Sequence, residues 1–281
     1  MEKNLQEQAI SDFELVSFCE AIYKRYGIDF SCYEPTPFKR RLKNCLLKFK
    51  FNSLIDLWST LLRDRGFIYP FMNEITVGLT TLFRDPKMWL CVKDLLLQLT
   101  RTNKQVSILH TGCSTGEELF SMAILAKELG VYHKCRFVAT DINEDSLQKA
   151  RMGEYCNTKW ADFESNYRQY NPKGKLVLYC LQNGNTFQFD PLLLKNVEFK
   201  KHNLIADGFR QKFHLIFCRN VLIYFDKVTQ INIVNRLHDT LESEGFVVMG
   251  YFDSVMPIIR DIQLNIYDLN MKIFNKASSP T

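Results

Sequence analysis

The sequence predicts an α/β protein in two parts, an all-helical N-terminal domain over residues 1–75 and a sheet domain over 76–281. Three observations carry this. Up to about residue 75, apolar residues recur at helical spacing, Gly is nearly absent, and breakers such as Pro35 and Pro37 separate the segments. From about residue 105, short β-branched and apolar runs alternate with amphipathic stretches, the pattern of parallel strands covered by helices on both faces. Between Gly153 and His202 that rhythm breaks. There a turn at Asn183-Gly184-Asn185 separates strand-like Leu176–Leu181 from Thr186–Phe189, predicting a small antiparallel β insertion over about 170–200.

Taken in order, Phe38–Lys50 reads as a basic amphipathic helix. Phe38, Leu42, Cys45, Leu46 and Phe49 share one face, six basic residues fill the rest, and no acid is present. Strands are expected at Val106–Leu109, Phe137–Thr140, Leu215–Cys218 and Phe246–Met249. Helices are expected at Glu117–Leu129, Glu144–Arg151 and Lys227–Leu241. The tail Lys276–Thr281 is small and polar.

Composition excludes several classes. In 281 residues, 46% hydrophobic and 24% charged is near the globular average, which rules out a disordered, collagenous or coiled-coil chain. A net charge of +5 is too small by itself to imply nucleic acid. Nine cysteines is an odd number and no pair forms C-x-x-C, so reduced thiols are expected, and neither a disulfide framework nor a metal site. Met1–Ile10 is polar and no run approaches the ~20 apolar residues that span a bilayer. A cytoplasmic monomer without membrane insertion is the expectation.

Four segments carry chemistry. In Ser107-Ile-Leu-His-Thr-Gly112-Cys-Ser-Thr-Gly116-Glu117-Glu118 a buried strand runs into a glycine turn and a helix. The glycines are four apart, so this is not the dinucleotide pattern, and no Lys follows Gly116 as a phosphate loop requires. Paired acids at the helix start suit a cationic ligand, an ammonium or sulfonium, unless they merely complement the helix dipole. Asp141 ends the next strand, where an acid can accept both hydroxyls of a ribose or cap the following helix. Arg219, Asn220 and Tyr224 leave the apolar strand Phe213–Cys218 together, at the same sheet edge. Arg84 stands among apolar residues in Ile75–Pro86 and needs a partner such as a carboxylate.

Together these segments resemble the chemotaxis receptor (CheR-type) protein-glutamate O-methyltransferases. The shared motifs stand here as Leu-Thr-Thr-Leu-Phe-Arg-Asp (79–85), Gly-Cys-Ser-Thr-Gly-Glu-Glu (112–118), Ala-Thr-Asp-Ile (139–142), His-Asn-Leu (202–204) and Phe-Cys-Arg-Asn-Val-Leu-Ile-Tyr-Phe-Asp (217–226). The resemblance implies a class I, Rossmann-like methyltransferase sheet domain after the helical domain. It implies S-adenosyl-L-methionine as cofactor, S-adenosyl-L-homocysteine as product, and methyl-accepting chemotaxis receptors with Glu-rich cytoplasmic helices as partners. It places Thr80, Arg84, Glu118, Asp141, Asn203, Leu204, Arg219 and Asn220 at the cofactor, Glu118 on its amino group and Asp141 on its ribose. Arg84 and Tyr224 would stand beside the transferred methyl.

The chain departs from the family at Gly78, where an Asn is usual, at Leu119 for Pro, and at Gly250-Tyr-Phe-Asp253 for Gly-His-Ser-Glu. No site role is therefore expected for Tyr251–Ser254. The basic helix, through Arg40, Arg41 and Lys43, is read as a cradle for an acidic receptor helix, beside two alternatives, a solvated face and a nucleic-acid backbone contact. Two other functions remain open, a same-fold methyltransferase with another acceptor and a non-catalytic cofactor-sensing module.

Overall fold

The computed structural model describes residues 10–76, 80–253, 256–259, 262 and 264–276. Gly78, where the family usually has an Asn, lies outside them. The chain forms two compact units, Met1–Gly78 with Tyr224–Gln230, and Leu79–Ile223 with Ile231–Thr281.

The first unit holds helices α1 (Asp12–Tyr26), α2 (Pro35–Phe49), α3 (Leu54–Arg63) and α4 (Ile68–Ile75). Each begins or ends where local chemistry dictates. Ser11 and Glu14 form a capping box on α1, and Gly27 closes it at φ 70°. Pro35 occupies the first turn of α2, where its missing N–H costs nothing. Phe38, Leu42, Cys45 and Leu46 of α2 are buried, and Phe30 stacks on Phe38 at 5.1 Å. The return segment joins this unit by backbone hydrogen bonds, Glu34 N–H to Tyr224 O and Asp226 N–H to Cys32 O, and by the Tyr33–Phe225 bridge. No local pattern in the sequence announces that return.

The second unit begins with α5 (Pro86–Thr102) and then alternates. Strand β1 (Val106–Thr111) leads to α6 (Glu117–Glu128), and β2 (Cys135–Asp141) leads to α7 (Glu144–Met152). The insertion follows as β3 (Glu154–Cys156), α8 (Trp160–Tyr170), β4 (Cys180–Asn183) and β5 (Thr186–Phe189). The main sheet resumes with β6 (Val197–Lys201) and β7 (Phe213–Cys218). After α9 (Lys227–Thr240) come β8 (Leu241–Met249), the short α10 (Met256–Ile259), β9 (Leu264–Asp268) and β10 (Ile273–Lys276).

The seven-stranded sheet has the order β6-β2-β1-β7-β8-β10-β9. It is parallel from β6 to β8, and β10 runs antiparallel between β8 and β9. The order reverses between β1 and β7, which puts a crevice at their carboxyl ends.

The insertion is a second sheet of order β3-β5-β4. Its first expected strand is corrected: Leu176–Tyr179 is a 3₁₀ turn and the strand starts at Cys180. Leu176 and Cys180 are buried while Val177, Leu178 and Leu181 are exposed, a spacing of four rather than the alternation of a strand. Phe120 of α6 stacks on Phe189 at 4.6 Å and meets Tyr155 edge-on, so the insertion shares the domain's core. Phe189→Ala should lower unfolding free energy by about 3–5 kcal/mol, the cost of truncating a buried aromatic, with both sheets still melting in one transition. Urea unfolding followed by fluorescence and circular dichroism measures this; a change under about 1 kcal/mol would mean the insertion is packed independently.

Candidate functional site

The site-bearing loops of the second unit all leave the carboxyl edge of its sheet. After β1 the chain turns through Gly112 (φ 61°) and Ser114 (φ 49°) to Gly116 (φ 95°). Gly116 is required there, since a Cβ would lie 2.9 Å from that of Ala150 in a backbone conformation that L side chains rarely adopt. Cys113 N–H donates to Thr140 O at 2.9 Å and Thr111 Oγ1 to Phe217 O at 3.0 Å, tying the turn to both neighbouring strands.

Asp141, at the tip of β2, is half-buried. Its Oδ2 accepts from Ser114 N–H at 2.8 Å and its Oδ1 from Asn143 N–H at 2.9 Å. Burial pushes its carboxyl above the ordinary value, against the pull of the N–H groups of Asn143, Ser114 and Ile142. His202 N–H donates to Asp141 O at 3.0 Å, which sets Asn203 and Leu204 next in chain to this acid. Both are half-buried, and Asn203 Oδ1 accepts from Ile205 N–H at 3.1 Å.

Glu118 lies in the first turn of α6, and its two oxygens have separate partners. Oε1 is 2.9 Å from His110 Nδ1, and Oε2 is 3.0 Å from Arg219 Nη1. Arg219 is buried, and its Nη2 donates to Asp85 Oδ2 at 2.5 Å and to Arg84 O at 3.4 Å. Burial opposes the charge of Glu118, but His110 and Arg219 outweigh it and hold the carboxyl below its ordinary value of 4.5.

The paired-acid expectation divides here. Glu117 is fully buried and faces away into the insertion, paired with Lys159 Nζ at 2.8 Å and accepting from Thr115 Oγ1 at 2.7 Å. Glu118 alone is left for a ligand.

Arg84 is half-buried in a strained segment flanked by Phe83 (φ 46°) and Asp85 (φ 55°), and its carbonyl accepts from Trp89 Nε1 at 3.0 Å. Thr80 is half-buried at the start of the same segment. Asn220 sits at φ 58°, its N–H donating to Asp253 Oδ2 at 3.0 Å.

Asp253 is a residue that the sequence reading passed over. It is buried and also accepts from Gly250 N–H at 2.7 Å and Ile223 N–H at 3.2 Å, so it holds the whole turn after β7. Its signal was the acid shared with the family's Gly-His-Ser-Glu motif, hidden by the two changed residues before it. His110 and Asp85 were also missed. A histidine inside an apolar strand was the available clue to the first.

The remaining residues belong to the first unit. Arg41 Nη1 donates to Ile75 O at 2.8 Å, and its guanidinium lies 4.1 Å from the Tyr224 ring centroid. Arg40 is exposed and Lys43 half-buried.

Residues 14–76 match the family model for the CheR methyltransferase all-alpha domain, and residues 78–265 that for the CheR methyltransferase SAM binding domain. The chain belongs to the CheR methyltransferase family. Cher3 of Pseudomonas putida is 35% identical over 245 residues, covering 87% of this chain and 90% of that protein. A chemotaxis protein methyltransferase of Borreliella burgdorferi is 29% identical over 261 residues, covering 88% and 89%. One of Salmonella typhimurium is 28% identical over 269 residues, covering 92% and 90%. Among solved structures, a magnesium protoporphyrin IX methyltransferase from Synechocystis with bound SAM is similar at a TM-score of 0.42 and 12% identity, over 77% of this chain and 98% of that one.

This CheR-family chain is thus a methyltransferase that uses S-adenosylmethionine. All nine cysteines are free, and no helix among the described residues is long and apolar enough to cross a membrane.

A folded-state value below 4.5 means that the ionised Glu118 carboxylate stabilises the fold above about pH 4.5, and that this contribution is lost as pH falls through the folded value. The stability gap between parent and Glu118→Gln should therefore be widest near neutral pH and close progressively below about 4.5. Urea unfolding at a series of pH values checks this, and a gap that does not vary with pH would remove the ionic role.

Proposed function

We propose that this chain transfers the methyl group of S-adenosylmethionine to glutamate side-chain carboxylates of chemoreceptors, forming methyl esters, and that it does so as a cytoplasmic monomer. The observation that carries the cofactor side is the Glu118–Arg219–Asp85 cluster. Two carboxylates against one guanidinium leave a net charge of −1 where the cofactor presents its ammonium. Asp141 suits the ribose hydroxyls, with Asn203 and Leu204 flanking the adenine. Arg219 Nε is buried and without a partner among the described residues, a donor left over for an anionic group such as the cofactor's carboxylate. Thr80 and Asn220 complete the cofactor set.

When bound, the cofactor supplies an electrophilic methyl on a sulfonium. A glutamate, with pKa about 4.3, arrives already ionised and needs no general base. The work left to the chain is alignment and exclusion of water. Arg84 is assigned to orienting the carboxylate, and Tyr224 to the transfer beside it. The names of the relatives from Borreliella burgdorferi and Salmonella typhimurium support chemotaxis as the setting.

The basic helix α2 supports an acidic partner helix, with its load redistributed. Arg41 is committed to Ile75 O and the Tyr224 ring, Lys39 to Asp12 at 2.7 Å, and Lys48 to Glu74. Exposed Arg40 is the residue of α2 assigned to receptor charge.

Incubation with labelled cofactor and receptor-bearing membranes should give methyl incorporation that alkali releases, the mark of an ester. Alkali-stable label would instead favour a different acceptor, and none at all a non-catalytic module. Asp141→Ala should weaken S-adenosylhomocysteine binding by about 1–3 kcal/mol in calorimetry, because the ribose hydroxyls lose their acceptor. Arg40→Glu should slow methylation of a Glu-rich receptor helix at low salt, with cofactor affinity unchanged and the effect shrinking as salt rises. Equal rates for variant and parent at low salt would leave α2 a solvated face.

A further inference from the structure

His110 is the one titratable side chain at the Glu118 cluster to which neither the motifs nor the reaction gives a role. It is completely buried in β1, two residues before the glycine turn, and its ring lies 4.7 Å from that of Phe217 at an interplanar angle of 7°. Trp89 stacks on the same Phe217 at 5.6 Å. The imidazole plane is therefore fixed by packing. One edge meets Glu118 Oε1 at 2.9 Å, and the other nitrogen, Nε2, is buried without a partner among the described residues.

These facts place a proton on Nδ1. An ionised carboxylate can only accept, so Nδ1 carries the proton and donates. A permanently charged Lys or Arg at this position would cancel the net charge of −1 on Glu118, Asp85 and Arg219 and remove the attraction for an ammonium.

We propose that His110 is a positioning residue for the cofactor's amino group, a donor whose packed ring locks Glu118 Oε1 in place. The inference rests on the assignment of Glu118 to that amino group. Its physical content is preorganisation. A free Glu side chain loses rotamer freedom when it captures a ligand, and here His110 and Arg219 fix both oxygens beforehand.

The test separates donation from packing. His110→Asn keeps an N–H donor near the Nδ1 position and loses the ring; His110→Phe keeps the flat ring on Phe217 and loses the donor. Two ligands are titrated by calorimetry against the full chain. S-adenosylhomocysteine carries the amino group; 5′-methylthioadenosine keeps the adenine, ribose and sulfur without the amino-acid portion. His110→Phe should weaken S-adenosylhomocysteine about tenfold (about 1.4 kcal/mol) and leave methylthioadenosine within about twofold. His110→Asn should recover most of the lost S-adenosylhomocysteine affinity.

The reverse order, with Phe near parent and Asn weak, or equal weakening of both ligands by Phe, would overturn the proposal and leave His110 a packing residue. If Asn does not fold, the ligand contrast in Phe alone still decides, and if Phe does not fold, near-parent discrimination between the two ligands in Asn supports donation while its loss opposes it. Glu118→Gln is the companion variant. If it too leaves the two ligands equally affected, the assignment of Glu118 itself fails; if it selectively weakens S-adenosylhomocysteine while His110→Phe does not, only the His110 inference fails.

Discussion

Arg219 is the side chain on which the carboxyl edge of the second unit's sheet depends. One buried guanidinium joins the end of β7 to the first turn of α6 through Glu118, and to the segment before α5 through Asp85 and the Arg84 carbonyl. These three pieces are far apart in sequence and have no shared strand. Arg219 is buried while Asp85 is exposed, so the large cost falls on losing the guanidinium, which leaves Glu118 without its counter-charge. The same loops hold non-glycine residues at positive φ, Phe83, Asp85, Ser114 and Asn220. Such conformations cost of order 1–3 kcal/mol each and persist only where the surroundings over-determine them. Arg219, Asp141 and Asp253 supply that over-determination, each acid by accepting backbone N–H groups from the strained turn it faces.

The β insertion belongs to the same construction. Its Lys159 neutralises buried Glu117, its Tyr155 hydroxyl donates to Thr115 O at 2.6 Å, and Asn166 of α8 donates to Leu82 O at 3.0 Å. Tyr170 stacks on Phe83 at 4.6 Å. The insertion therefore buttresses both the glycine turn and the segment carrying Arg84. Glu117 and Glu118, adjacent in sequence, lie on opposite sides of this boundary, one paired with Lys159 of the insertion and one with His110 and Arg219.

What the sequence could and could not reveal follows the range of the forces involved. Strands β1, β2 and β7 were legible from short apolar runs, and α6 and α7 from amphipathic periodicity, because these patterns are local. Asp141 and Glu118 were legible because strand-to-turn-to-helix spacing places them at one edge. Leu176–Tyr179 was misread because an apolar run does not distinguish a strand from a helical turn. Asp253, His110 and the return of Tyr224–Gln230 to the first unit were illegible for another reason: apart from the bond between Asp253 and Gly250, each acts through partners at least eight residues away in sequence, and pairing at that distance leaves no local periodicity. The motif resemblance reached further than periodicity because it carries long-range pairing implicitly, yet it failed at Asp253, where the residues around the acid had changed.

The distribution of charge accounts for how such a site would combine affinity with turnover. A carboxylate attacking a sulfonium methyl destroys one negative and one positive charge. Strong binding of either reacting charge would be lost in the transition state and would slow the reaction. The fixed charge at this edge of the second unit lies on Glu118 and Asp85, against Arg219, and the oxygens of Asp141 accept from the N–H groups of Ser114 and Asn143. On the assignments proposed above, affinity then comes from the ammonium and the ribose, whose interactions do not change as the methyl moves. In the first unit Arg41 is likewise kept from acting as a free cation, its guanidinium lying over the Tyr224 ring and its Nη1 donating to Ile75 O, so it holds an aromatic side chain rather than a substrate charge. Binding energy placed away from the reacting atoms lowers no barrier by itself, but it fixes the geometry from which an already ionised glutamate can react.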